Sequence, residues 1–191
     1  MPIDFEKKII FIHIPKNAGT SVEKCYNMSH TGHHNWSYYK KVIGGDWKSY
    51  RKICIFRDPI DRLKSCYRYA KMKKSFWHSA DGKSLDGKHP DYDVCLSNSI
   101  NEVVDILINN PLSLKHLGWK TQFSWVNGID GVEFVNFENV KKFFEEIYGE
   151  GTLQHFNSSP KEDLGLSSET IDKLRKFYEI DFNIWNMVKN K

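Results

Sequence analysis

The sequence lacks any apolar run long enough to cross a membrane. Its best candidate, residues 9–14, is interrupted by His13 and falls well short of the roughly 20 residues a spanning helix needs. The flanks are not those of a signal peptide either, so the expectation is a soluble, cytoplasmic chain with no membrane span. CxxC pairs are also missing. The four cysteines, Cys25, Cys54, Cys66 and Cys95, are scattered; they show no disulfide framework and suit a reduced compartment. Nor is there clustered basicity. A net charge of +4 and a pI near 8.7 suit an anionic ligand and argue against nucleic acid as a partner. Internal repeats and low-complexity tracts are absent.

What is present is enough for a core. Hydrophobic residues make up 40% and aromatics 14% of 191 residues, the size of one domain or of one domain with small insertions. The reading is a single domain over 1–191 with a loop-rich excursion at about 75–93, where Asp-Gly steps at 81–82 and 86–87 and Pro90 mark turns. The β-branched and aromatic run at 9–14 predicts a strand buried on both faces, followed by a turn and a helix from Thr20 and Ser21 to about Met28. A short helix is expected at 36–43, closed by Gly44 and Gly45. A second buried strand is expected at 53–56, and a helix capped by Asp58 and Pro59 runs on to about Lys74. Ser99 and Glu102 make a capping-box pattern for a helix that stops before Pro111. A third strand is predicted at 132–137, a helix at 140–148, and a last helix from about Ser167 with Ile171, Leu174, Phe177, Tyr178 and Trp185 on one face. Strands alternating with helices imply a P-loop-like three-layer α/β/α fold with a central, mostly parallel sheet, and in such sheets ligands bind at the carboxyl ends of strands.

Two motifs fall at such ends. The first is Phe11-Ile-His-Ile-Pro15-Lys16-Asn17-Ala18-Gly19-Thr20-Ser21. Small residues at Ala18 and Gly19 let backbone N–H groups face an anion, and the helix start adds partial positive charge. Lys16 adds a full charge, and Thr20 and Ser21 add hydroxyl donors. An ordinary strand-to-helix turn with an exposed lysine is the plainer alternative. It is not a Walker A loop, because Lys16 precedes Gly19 and no upstream glycine exists. The second motif is Ile53-Cys-Ile-Phe-Arg57-Asp-Pro-Ile-Asp-Arg-Leu-Lys-Ser65. Arginine meets a phosphate bidentately and keeps its charge; the plainer reading pairs Arg57 with Asp58 or Asp61.

Together the two motifs resemble the 5′-phosphosulfate loop and the 3′-phosphate motif of sulfotransferases that use 3′-phosphoadenosine 5′-phosphosulfate (PAPS), and most closely the carbohydrate sulfotransferase group. The resemblance extends over roughly 8–185. It includes the His33 loop ahead of Gly44, Gln122-Phe-Ser-Trp125, Phe137-Glu138-Asn139, His155-Phe-Asn-Ser-Ser159 and Tyr178-x-x-Asp181. Asn17 departs from the usual Thr or Ala-type residue. The resemblance implies PAPS as co-substrate, held by Pro15, Lys16, Asn17, Ala18, Gly19, Thr20, Ser21, Arg57 and Ser65. It also implies a hydroxyl acceptor, a carbohydrate or glycan that can itself be anionic, and no metal.

The chemistry needs a base for the acceptor hydroxyl and a charge for the leaving phosphate. Lys16 is the candidate for the charge. The family's histidine eleven residues before the matching glycine falls on His33, the candidate base, with His34 second. The loop that carries them can equally be an exposed polar segment. A zinc site on Cys25, His30, His33 and His34 lacks a second ligand pair at the usual spacing. His13 is a core histidine or a substrate-positioning one. Trp119, Gln122 and Trp125 line an acceptor cleft or belong to the core, and Lys71, Lys73 and Lys74 form a solvated helix end or meet an acidic acceptor. A small-molecule P-loop kinase and a non-catalytic nucleotide- or glycan-binding module are the rival functions.

Overall fold

The computed structural model describes residues 2–29, 32–75, 87–149, 153 and 163–189. Among these the protein is mixed α/β, with an open four-stranded sheet and eight α-helices. The strands are β1 (Ile3–Asp4), β2 (Ile9–Ile12), β3 (Arg51–Phe56) and β4 (Val132–Asn136), and they lie in that order across the sheet. β1 and β2 form an antiparallel pair, with Ile3 opposite Ile10. β2 and β3 run parallel, with Phe11 beside Ile53, and so do β3 and β4, with Cys54 beside Phe134. The sheet is thus mostly parallel.

Two compact units make up the chain. One comprises Met1–Asp58, Lys120–Asn157 and Ile180–Lys191; the other comprises Pro59–Trp119 and Ser158–Glu179. The first unit holds the sheet. All four residues of β2 and the last five of β3 are buried, as strands covered on both faces should be. Alternation puts Ile9, Phe11, Ile53, Ile55 and Val135 on one face. There they pack with Val22 of α1 (Gly19–Cys25) and with Val140 and Phe144 of α6 (Val140–Tyr148). Tyr26 stacks on Tyr148 at 4.1 Å and closes this core at the helix ends. α2 (Trp36–Ile43) stops at Gly44, whose φ of 65° favours glycine.

The second unit contains α3 (Pro59–Ala70), α4 (Tyr92–Ser97), α5 (Ile100–Asn109) and α7 (Ser168–Phe177). The capping box on α5 forms as its sequence predicts: Glu102 N–H donates to Ser99 Oγ, and Ser99 N–H donates to Glu102 Oε2. The Ser99 hydroxyl, which donates to Glu102 Oε2 at 2.7 Å, and then the Ser99 N–H hold the exposed Glu102 carboxyl below its usual range. Asp91, 1% exposed, ties the segment before α4 to the turn at 115–119. It accepts from the backbone N–H groups of Lys115 and His116 and from Trp119 Nε1.

Several boundaries differ from expectation. α1 ends at Cys25 rather than near Met28, and α3 ends at Ala70 rather than near Lys74. The expected last helix is two, α7 and α8 (Glu179–Val188), broken at Tyr178. That residue turns its hydroxyl to the Trp119 carbonyl at 2.7 Å. α4 begins in the last residues of the excursion and runs past its end, and Ser75 and Gly87 form an antiparallel bridge. Residues 76–86, His30 and the 155–159 segment lie outside the described residues.

Candidate functional site

The first motif sits where the sequence puts it, after a parallel strand and before a helix. β2 ends at Ile12, and the chain turns through Pro15, Lys16, Asn17 and Ala18 before α1 begins at Gly19. Lys16 and Ala18 both take left-handed conformations, with φ of 70° and 60°. Such values cost a non-glycine residue of order 1 kcal/mol or more and persist only where the surroundings over-determine them. Asn17 is 1% exposed, and its Nδ2 donates to the Ile55 carbonyl at 2.7 Å and to Gln122 Oε1 at 2.6 Å. One buried side chain therefore pins the loop to the end of β3, and its neighbours on either side take up the backbone distortion. α1 has only seven residues, so the charge of Lys16 and the loop's own N–H groups count for more than the helix dipole.

Arg57 closes the second motif against the first. It follows β3 directly, and its Nη1 donates to the Lys16 carbonyl at 3.2 Å. Its guanidinium also lies over the Phe137 ring at 4.4 Å, a cation–π contact that steadies its plane. The Arg57 side chain thus reaches the backbone of Lys16, 41 residues away. Ser65 is buried on α3 and belongs to the second unit.

Histidines fill the other side of the first motif. His13, 3% exposed, lies just beyond β2, and its Nδ1 pairs with Glu23 Oε1 of α1 at 2.8 Å. The ring lies against the Cα of Gly19: a Cβ there would fall 1.9 Å from His13 Cδ2 and 2.1 Å from Nε2. Gly19 is therefore glycine because His13 occupies the place of its side chain. His33 meets the His13 ring edge-on at 4.4 Å, and its Nδ1 lies 3.2 Å from the His13 carbonyl. A carbonyl only accepts, so Nδ1 is the donor in this contact, and Nε2 is the nitrogen that can take a proton when the ring is neutral. His33 also stands edge-on to Trp125 at 6.1 Å. His34 instead stacks flat on Tyr38 at 3.8 Å and turns its edge to Tyr39. Burial first, and then the charge of Glu23, push the Tyr39 phenol up from its ordinary range.

The structure thus brings Pro15, Lys16, Asn17, Ala18, Gly19, Arg57, His13 and His33 into one strand-end neighbourhood. Thr20 and Ser21 open α1 beside them. Trp119, Gln122 and Trp125 are all buried and belong to the core rather than to an open cleft. Gln122 and Asp181 have a part in the site that their residue types alone do not announce: they are polar, fully buried and bonded to the backbone of the second motif and its neighbours. Lys71 lies over the Tyr67 ring at 5.0 Å. Among the described residues no group of three or more His, Cys, Asp or Glu side chains is placed to hold a metal ion. No helix among them is long and apolar enough to cross a membrane, and none of the four cysteines is in a disulfide. The chain matches no protein-family model, no curated protein and no solved structure.

Proposed function

We propose that the protein is a PAPS-dependent sulfotransferase acting on a hydroxyl acceptor, a carbohydrate by its resemblance to the glycan-modifying group, within a P-loop-like α/β/α architecture. The observation that carries this reading is the joining of the two motifs. A lysine-bearing left-handed loop and a strand-end arginine meet in one hydrogen bond, Arg57 Nη1 to the Lys16 carbonyl at 3.2 Å. A ligand with two separate phosphate-type groups gives both cations work; a ligand with one does not.

The residues divide the chemistry between them. PAPS, when bound, supplies the sulfuryl group and a phosphate leaving group. The loop at 15–21 holds the 5′ end through backbone N–H groups and the Thr20 and Ser21 hydroxyls. Lys16 neutralises charge that grows on the bridging oxygen as the sulfur–oxygen bond breaks. Arg57 takes the 3′-phosphate. His33 Nε2 accepts the acceptor's hydroxyl proton as its oxygen bonds to sulfur, while the Nδ1–H contact to the His13 carbonyl holds the ring in that tautomer.

Calorimetry tests the reading. 3′-Phosphoadenosine 5′-phosphate should bind more tightly than AMP by roughly ten- to a hundredfold, the worth of one charge-assisted phosphate contact, and Arg57→Ala should remove that margin. Equal affinity for the two nucleotides refutes the assignment. Preference for ATP in the presence of Mg²⁺ favours a kinase instead.

A further inference from the structure

We infer that Gln122 is the positioning residue for Arg57, and that it couples the two phosphate motifs so that they read a nucleotide's two ends as a pair. The inference rests on the sulfotransferase reading and adds to it a residue outside both motifs.

The geometry is specific. The Gln122 amide brackets the backbone of Arg57 from both sides: Oε1 accepts from Arg57 N–H at 3.1 Å, and Nε2 donates to the Arg57 carbonyl at 2.9 Å. A pair of bonds to one residue's own N–H and C=O copies what a neighbouring strand would supply. It continues the ladder one residue past the end of β3 and fixes the backbone from which the guanidinium projects. The same Oε1 also accepts from Asn17 Nδ2 at 2.6 Å, and Asn17 Nδ2 reaches the Ile55 carbonyl at 2.7 Å. One amide therefore touches the loop of the first motif and the root of the second. Its orientation is forced, because turning it over would set Nε2 against two donors and Oε1 against a carbonyl.

Gln122 is itself held. Asp181 Oδ2 accepts from Gln122 N–H at 2.6 Å, and Oδ1 accepts from Phe123 N–H at 2.8 Å. Gln122 is fully buried and Asp181 is 1% exposed, so both act where water competes least and hydrogen bonds hold geometry best. The chain of contact runs Asp181, Gln122, then Arg57 and Asn17. A residue whose only purpose was to fill the core would need neither the amide nor its three partners.

A purely structural glutamine and a positioning one differ in a double-mutant cycle read by nucleotide affinity. The variants are Arg57→Ala, Gln122→Met and their combination, each titrated with 3′-phosphoadenosine 5′-phosphate and with AMP. Methionine keeps the length of glutamine and loses its side-chain hydrogen bonds, while the backbone bond to Asp181 stays. Gln122→Met should lower affinity for the bisphosphate roughly tenfold or more and leave AMP within about threefold. The double variant should bind no worse than Arg57→Ala, because the loss acts through Arg57. Gln122→Glu keeps the acceptor half of the bracket and should fall between; if Gln122→Met does not fold, the cycle is run with Gln122→Glu. Losses that add, or that strike AMP equally, overturn the inference and leave the sulfotransferase reading standing. An unsubstituted protein that binds both nucleotides alike overturns both.

Discussion

Replacing Gly19 by alanine tests the packing beneath the first motif. The new Cβ would sit 1.9 Å from His13 Cδ2, whereas carbon atoms rest comfortably at about 3.5 Å or more. The imidazole must therefore retreat by roughly 1.5 Å. It has nowhere free to go: it is 3% exposed, stacked on Phe11 at 5.9 Å, met edge-on by His33 at 4.4 Å, and paired to Glu23 at 2.8 Å. A shift of that size breaks the Glu23 bond and leaves a buried carboxylate without its imidazole, at a cost of about 3–5 kcal/mol. Alanine returns at most about 1 kcal/mol by its better helix propensity. The net expectation is a loss of about 2–4 kcal/mol, measured by denaturant unfolding followed by circular dichroism. A second measurement isolates the cause. In a His13→Ala background the obstruction is gone, so adding Gly19→Ala should change stability by less than about 1 kcal/mol. A neutral Gly19→Ala, or an equal penalty with and without His13, refutes the account that the ring fills the glycine's empty place.

Three further outcomes follow from the site and the fold. Lys16→Ala should lower turnover more than nucleotide affinity, since its charge matters most as the leaving group forms; unchanged turnover in steady-state assays removes Lys16 from the mechanism. His33→Ala should lose roughly 10²–10⁴-fold in turnover with nucleotide binding kept. The wild-type rate should fall in acid as the ring takes a proton, and His34→Ala should do less because that ring stacks on Tyr38; a dead His34 variant with an active His33 variant reverses the assignment. Burial first, with Asp91 and Cys66 adding, pushes the Cys95 thiol from 9.0 up to about 12. The folded state therefore keeps a proton that the unfolded state gives up. Its contribution to stability is whole below about pH 9 and drains away between about 9 and 12. Denaturation at a series of alkaline pH values should show that loss shrinking in Cys95→Ala; an identical slope in both proteins contradicts it.

Strands and helices that bury a face in regular rhythm were legible in the sequence. β2 and β3 announce themselves as apolar runs and α5 by the Ser99–Glu102 pair, because in each case the signal lies within a few neighbouring residues. β1 escapes because two residues carry no periodicity; it exists only by pairing with β2. The break at Tyr178 escapes because an apolar stripe continues across it, while the bond Tyr178 makes there, to the Trp119 carbonyl, reaches a residue 59 positions away.

The same distinction runs through the site. Lys16, Arg57 and the histidine loop are legible because motifs are local, whereas the parts that hold them are not. Asn17 bonds Gln122 across 105 residues, and Gln122 bonds Asp181 across 59. No period links such positions, and a buried polar residue looks in sequence like a surface one. Asn17 shows what this hides. Read locally, it is an odd residue in an anion loop, a departure from the usual Thr or Ala type. In the structure its amide points away from the loop's mouth and into the sheet, to Ile55 and Gln122. A threonine there has a single hydroxyl proton to donate and cannot make both bonds at once; an alanine can make neither. The asparagine at 17 and the glutamine at 122 therefore explain each other. The backbone that carries Lys16 and the backbone that carries Arg57 are tied to the same pair of side-chain amides.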